Sequence, residues 1–301
     1  MIVLLISVRD EAQFIQANIQ HHLNIGFDRI VFTEICSSDG TREILREYDG
    51  DPRFHITYLD DQDIRKYPWK RKMIEIAKER FNATWVTTLD ADEFLLPKSG
   101  HLKKEIQHRS GNAIRINRYN AVFTEEADFR DFYQVGSLEE APLMVKTDPD
   151  TRTRIQAGEH YPWIMGPIGP KVIAPADPII DFTRGGHDVT NSDGQMIDSI
   201  PSENMILAHF PFTTFKRFLN KISNITALEA NLRDWNKNHP LAGWQWYRWI
   251  DILKQGKAAL KEEFDLQVLS AEHMSQMRQC GDILNPREVF EILAHEPPEK
   301  R

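Results

Sequence analysis

Residues 90–93 read Asp-Ala-Asp-Glu, three carboxylates within four positions, directly behind the apolar and β-branched run 85–89. In extended backbone, side chains two residues apart point to the same side, so Asp90 and Asp92 can converge on one point. Converging carboxylates repel each other unless a positive charge stands between them. Mg²⁺ or Mn²⁺ would supply it, since either takes oxygen ligands and keeps positions open for phosphate groups. A solvated acidic turn or helix cap could use the same letters. The strand ahead and the apolar Phe94-Leu95-Leu96 behind favour a built site. A second charged group, Lys70-Arg71-Lys72, opens a helical stretch, where Arg71 or Lys72 could reach a phosphate. A solvated helix face is the plain alternative.

The elements that must position these residues are legible from hydrophobic period. Residues 2–8 form a continuous apolar run, the pattern of a strand buried on both faces. A helix is expected over 11–25, closed by Gly26. Strands at 29–33, 54–59 and 85–89 then alternate with helices at 41–48 and 69–81. This order predicts an α/β domain with a mostly parallel, Rossmann-like sheet flanked by helices. Ligands of such sheets lie beyond the carboxyl ends of the strands. Arg9, Glu11, Glu34 and the 90–93 cluster all fall there.

From 113 to 211 the pattern loosens. Strands are expected at 113–117, 171–174, 179–182 and 205–208, separated by long polar loops at 125–154 and 161–170. Beyond residue 211 apolar residues recur at helical spacing, and Trp244, Trp246 and Trp249 begin a further helix packed by those rings. We therefore expect a catalytic domain over 1–212 and a C-terminal helical region over 213–301.

Composition narrows the class. The 301 residues are 41% apolar and 27% charged, ordinary for a globular chain, with a formal net charge of -8 that argues against nucleic-acid binding. The two cysteines, Cys36 and Cys280, read as thiols of a reducing compartment. No apolar run reaches the roughly 18 residues of a membrane span. A cytoplasmic protein is expected, with peripheral membrane contact compatible with the sequence.

Leu89-Asp90-Ala91-Asp92-Glu93-Phe94, with Pro97, resembles the Asp-X-Asp-Glu-Phe signature of family 2-like glycosyltransferases of GT-A fold. Val8-Arg9-Asp10-Glu11-Ala12 is similar to that family's first loop, with Asp10 in place of the usual Asn. Arg29 through Thr41 is similar to its second-strand motif, with Glu34 in place of the usual Asp. The resemblance implies a metal-dependent enzyme that moves a sugar from a nucleoside diphosphate, expected to be UDP, to a hydroxyl acceptor such as a saccharide. It implies inversion at the anomeric carbon, and a place in surface polysaccharide or glycan synthesis.

Carried over residue by residue, the resemblance assigns Ser7, Arg9, Glu11 and Glu34 to the nucleotide. It gives Asp92 to the cation, Mn²⁺ or Mg²⁺, and Asp90 to ribose or a metal-bound water. A late histidine often completes the ligand set. His209 in Leu-Ala-His-Phe-Pro is preferred, because Lys216, Arg217 and Lys221 follow it and could clamp the diphosphate, and His187 is held in reserve. The proton acceptor for the incoming hydroxyl is sought among Asp131, Glu159 and Asp188, with Glu159 favoured by its neighbours His160, Tyr161 and Trp163. Asp39 reads as a helix cap. Two alternatives stay open: an inactive carbohydrate-binding or scaffold protein of the same fold, and a sugar-phosphate nucleotidyltransferase. Against the second, residues 7–11 contain no glycine.

Overall fold

The run Ile2–Val8 becomes β1, a central strand whose alternate residues face two different cores. Val3 and Leu5 pack with Met73, Ile74 and Ala77 on one face, while Leu4 and Ile6 pack with Phe14, Ile15 and Ile19 on the other. Burial on both faces is why this strand carries no apolar–polar alternation. The structure, a computed structural model, describes residues 1–60, 69–107, 111–122, 142–226 and 243–295.

The first part of the chain follows the expected alternation. After β1 come α1 (Ile15–Asn24), β2 (Arg29–Ile35), α2 (Thr41–Arg46), β3 (Phe54–Leu59), α3 (Trp69–Phe81) and β4 (Trp85–Thr88). Helix α1 starts later than the period suggests. Residues 12–14 form turns instead, and the Glu11 amide donates to Thr41 Oγ1 at 2.8 Å.

The apolar tail behind the acidic cluster forms β5 (Glu93–Pro97), followed by α4 (Leu102–Ile106), β6 (Ala113–Asn120), β7 (Met144–Val145) and α5 (Thr151–Gln156). Then come β8 (Lys171–Pro175), β9 (Ile179–Phe182), β10 (Val189–Asn191) and β11 (Ser199–His209). The main sheet has eight strands in the order β3-β2-β1-β4-β8-β6-β11-β5. Neighbours are parallel from β3 to β4 and between β6 and β11, and antiparallel where β8 and β5 join. The starts of β5 and β8 therefore lie on the same edge as the ends of the other six strands.

The C-terminal part comprises α6 (Phe215–Thr226), α7 (Trp244–Gln255), α8 (Lys257–Gln267), α9 (Ala271–Cys280), β12 (Ile283–Leu284) and α10 (Pro286–His295). Phe218, Trp249, Leu260 and Phe264 share a core with Trp163 and Ile164, while Val289, Phe290 and Leu293 of α10 return to the core of the main sheet. The helices are thus fastened to the α/β part at two places. No helix among the described residues is long and apolar enough to cross a membrane.

Edge strand β5 shows how the acidic segment is held. One side of β5 pairs with β11, and the other would expose unpaired backbone groups. Helix α1 covers it with polar side chains. Asn18 Nδ2 donates to Ala91 O at 3.0 Å and to Glu93 O at 2.9 Å. His21 Nε2 meets Leu95 O at 2.7 Å, and His22 Nε2 accepts from Leu95 N at 3.3 Å. His22 Nδ1 in turn bonds Asn18 O at 2.9 Å, so the neutral ring with its proton on Nδ1 satisfies both ends.

Burial, reinforced by neighbouring His21, pushes the His22 pKa well below its ordinary 6.5. The folded ring then binds a proton less readily than the unfolded one. Its contribution to stability is complete above pH 6.5 and is lost as pH falls below that value. We expect the melting temperature of the protein to drop between pH 7.5 and pH 5. His22→Leu should start lower at pH 7.5 yet lose less over that interval. Equal losses in thermal melts would contradict the role given to His22.

Candidate functional site

At the carboxyl edge of the sheet, strand ends bring together Ser7 from β1, Arg118 and Asn120 from β6, and His209 from β11. The antiparallel strands contribute their first residues, Lys171 of β8 and Glu93 of β5. Asp90 and Asp92 lie in the connection between β4 and β5, and Arg217 and Lys221 reach in from α6. With Glu11 from the loop after β1, four carboxylates and four cations thus interlock in one place.

Asp92 stands at the centre. Its side chain is 1% exposed, and its Oδ2 accepts from Arg217 Nη2 at 2.5 Å and from Lys221 Nζ at 2.8 Å. The Arg217 guanidinium is used on every side. Nε and Nη2 donate to Glu11 at 2.7 and 2.9 Å, and Nη1 donates to Phe210 O and Pro211 O, both at 3.2 Å. Its plane lies 4.5 Å from the centre of the Phe14 ring. Burial would oppose ionisation of Asp92, but Lys221 and then Arg217 outweigh it and hold the pKa well below the usual carboxylate range. For Glu11 the balance goes the other way: burial exceeds the pull of Arg217 and raises its pKa.

Asp90 and Glu93 share a second cation. Lys171 Nζ lies 3.1 Å from Asp90 Oδ2 and 3.0 Å from Glu93 Oε2. Lys171 is almost wholly sealed, whereas the Asp90 carboxylate is 58% exposed. Glu93 is buried, accepts from the Asp90 amide at 2.8 Å and pairs with Arg118. Arg118 Nε is itself buried and has no hydrogen-bond partner. An anion entering here would meet a donor already stripped of water.

His209 is oriented by a relay. Asn120 Nδ2 donates to Ile164 O at 2.8 Å, which turns its oxygen toward His209 Nδ1 at 2.9 Å. The proton therefore sits on Nδ1, and the lone pair on Nε2 faces Asp92 Oδ2 at 3.8 Å. Burial lowers the His209 pKa to about 3, so the ring is neutral at physiological pH. As placed, however, no three His, Cys, Asp or Glu side chains among the described residues form a group that could hold a metal ion. Lys221 and Arg217 occupy the Asp92 oxygen that faces His209.

A cavity of about 610 Å³ opens over this cluster. Ser7, Glu11, Asp90, Arg118, His187 and Lys221 form its polar wall, with His209 beside them. Trp163, Trp244, Trp246, Tyr247 and Trp249 form an aromatic wall opposite. Trp249 is buried in the helical core, but Trp244 and Trp246 are only half-buried.

The other expected site residues that are described lie away from the cavity. Glu34 is fully buried and spends its carboxylate on the Ser37 amide at 2.6 Å and on Arg42 at 2.5 Å. Its extra methylene lets it fold back onto its own loop. Arg9 lies against Asp10 at 3.8 Å, with its Nε buried and unpartnered, and does not line the cavity. Arg71 pairs with Asp181 and Lys72 with Glu75, both on exposed surface. Lys216 is exposed on the far side of α6. Glu159 pairs with Arg154 at 2.8 Å outside the cavity. Asp188 closes its own loop, its amide donating to Thr183 Oγ1 at 3.0 Å. Asp131 lies outside the described residues. Asp39 caps the Thr41 amide at 3.0 Å, as expected of a cap.

Sequence reasoning passed over Lys171, Arg118 and Asn120, and did not separate Arg217 from its neighbour Lys216. One signal was available. Arg217 and Lys221 are four residues apart and share a helix face with buried Phe218, whereas Lys216 falls outside it. Nothing comparable marks Lys171, a lone cation at the start of an apolar strand.

The sequence profile of glycosyltransferase family 92 matches residues 7–239, a span that contains every charged member of the cluster. Among curated proteins none matches the chain. Solved structures similar to it include S. aureus TarS 1–349 in complex with UDP-GlcNAc. That chain is 12% identical, with a TM-score of 0.36 over 58% of this chain and 45% of that one. Another is S. aureus TarS, 11% identical with a TM-score of 0.37 over 89% of this chain and 50% of that one. The chain spans about half the length of these proteins.

Replacing Arg217 tests the cluster's wiring. Arg217→Met leaves Asp92 and Glu11 buried without their shared partner and should cost about 3–5 kcal/mol at pH 7 in denaturant unfolding. A cost below about 1 kcal/mol would show that Arg217 does not organise the site.

Proposed function

This chain belongs to glycosyltransferase family 92, and we propose that its charged cavity takes a nucleoside-diphosphate sugar, UDP-linked in our reading, and passes the sugar to a saccharide hydroxyl. The observation that carries this reading is the cluster itself: Asp90, Asp92, Lys171, Lys221 and Arg118 grouped at the carboxyl edge of the sheet, over a cavity with an aromatic far wall. Breaking the bond between an anomeric carbon and a diphosphate loads negative charge onto the leaving phosphate. Preorganised cations stabilise that charge most when water is excluded. Lys171 and Arg118 are both held by the buried Glu93 carboxylate before any ligand arrives, so little reorganisation of these two is needed.

This reading includes a divalent cation, Mn²⁺ or Mg²⁺, and it requires the side chains of the cluster to rearrange around it. The Nε2 lone pair of His209 is aimed at Asp92 by Asn120, and Asp90 offers an exposed carboxylate in the same cavity. Asp90, Asp92 and His209 would hold it, with Lys221 giving up its contact to Asp92. When bound, the cation would add positive charge beside the diphosphate. Lys221 would then be available for the phosphate oxygens.

The aromatic wall supports a saccharide acceptor. Half-buried indoles present apolar faces to the C–H faces of sugars while leaving hydroxyl groups to polar residues. A single displacement by such an acceptor inverts the anomeric centre.

The experiment is transfer from a panel of nucleoside-diphosphate hexoses to methyl glycosides in the presence of Mn²⁺, followed by mass spectrometry of the products. Wild type should glycosylate at least one acceptor. Asp90→Asn, which changes an exposed group, should remain folded and lose about 100-fold or more in kcat/KM. Activity within threefold of wild type in Asp90→Asn would overturn the assignment of the cavity.

A further inference from the structure

We infer that His187 is the group that takes the proton from the acceptor hydroxyl, through its Nε2. The inference rests on the cavity being the transfer site described above, and names the residue which that reading lacks.

The other proton acceptors on the polar wall are already engaged. Glu11 is held by Arg217, while Asp90, one oxygen of which pairs with Lys171, and His209, whose Nε2 faces Asp92, belong in this reading to the metal and diphosphate side. His187 differs. Its Nδ1 donates to Pro170 O at 2.6 Å, which fixes the tautomer and leaves Nε2 as the bare lone pair. Among the described residues nothing bonds to that nitrogen, and the residue lines the cavity.

The ring sits in a slot made for it. A Cβ at position 169 would come within 2.7 Å of His187 Cε1, and one at position 185 within 2.5 Å of Nε2. Both positions are glycine, and Gly185 has φ +79°, where a side chain would also be strained. Gly186 presses on the end of β4: a Cβ there would lie 2.6 Å from Thr88 Cγ2, two residues before Asp90. The loop is closed on itself, Thr183 N donating to Asp188 O at 2.9 Å and Asp188 N returning to Thr183 Oγ1. The imidazole is therefore held rigidly beside the leaving-group cluster.

The charged groups around it are Arg118, Lys171 and Asp90. Burial lowers the His187 pKa below 6.5, the bond to Pro170 opposes that, the two cations lower it further and Asp90 raises it. The ring is consequently neutral at pH 7 and able to accept a proton.

The step balances simply. The acceptor O–H bond breaks and its proton passes to Nε2. The oxygen's electron pair forms the new bond to the anomeric carbon. The pair of the old C–O bond leaves with the nucleoside diphosphate, and the imidazolium later returns its proton to solvent.

The test uses the full chain, and the donor and acceptor that wild type turns over from a panel of UDP-hexoses and methyl glycosides. His187→Asn places an N–H where Nδ1 bonds Pro170 O but has no basic nitrogen, and His187→Ala opens space for added imidazole. Transfer kcat should fall about 10²- to 10⁴-fold in both. The donor KM and the thermal shift produced by UDP should stay within about twofold of wild type. The acidic limb of the kcat–pH profile should disappear, and imidazole should restore part of the rate to His187→Ala. Retention of kcat within tenfold by His187→Asn overturns the inference, as does full recovery on raising Mn²⁺ alone, which would make His187 a metal ligand. A wild type that binds UDP yet transfers sugar from no donor overturns the reading beneath it instead.

Discussion

A carboxylate sealed from water stays ionised only where cations are fixed against it, and Asp92 is the carboxylate this protein has sealed. Arg217 and Lys221 hold it, and Arg217 at the same time ties down Glu11 from the first loop and two carbonyls at the end of β11. Three segments remote in sequence are thereby locked to one side chain. Losing any member would leave another charge stranded in a buried setting. The site's geometry is thus coupled to the stability of the fold.

The sheet explains why these segments meet. Mixing strand directions brings the first residues of β5 and β8 to the edge where the parallel strands end. Glu93 and Lys171 consequently stand beside Asp90 rather than at the opposite end of the molecule. Helix α1 then clasps the backbone of 91–95 through Asn18, His21 and His22, so the acidic connection is held from both sides. The carboxylates are rigid because their backbone is.

Much of this was readable in the sequence wherever it depended on local period. The apolar run of β1, the helix–strand alternation to residue 89 and the Asp90–Asp92 spacing all follow from neighbours within a few positions. What escaped depended on contacts across the sheet. Lys171 looks like an unremarkable strand start until β8 is placed next to β4. Arg118 and Asn120 are polar residues in a strand, legible as site groups only once β6 is known to end beside β11. Glu34 shows the opposite case: its sequence position resembles a ligand-binding acid, while across its own loop it pairs with Arg42. Spacing identifies what converges along one strand. Pairing decides what converges across several.

The central claim is that the Asp92–His209 pair and its surrounding cations form a single site for a metal ion and a nucleoside diphosphate. Calorimetric titration of UDP with and without Mn²⁺ addresses it directly. Coupled binding predicts that Mn²⁺ tightens UDP binding to wild type by about tenfold or more, and that His209→Gln abolishes the enhancement while still binding UDP weakly through its cations. UDP affinity unchanged by Mn²⁺ in wild type, or an equal enhancement in His209→Gln, would contradict it.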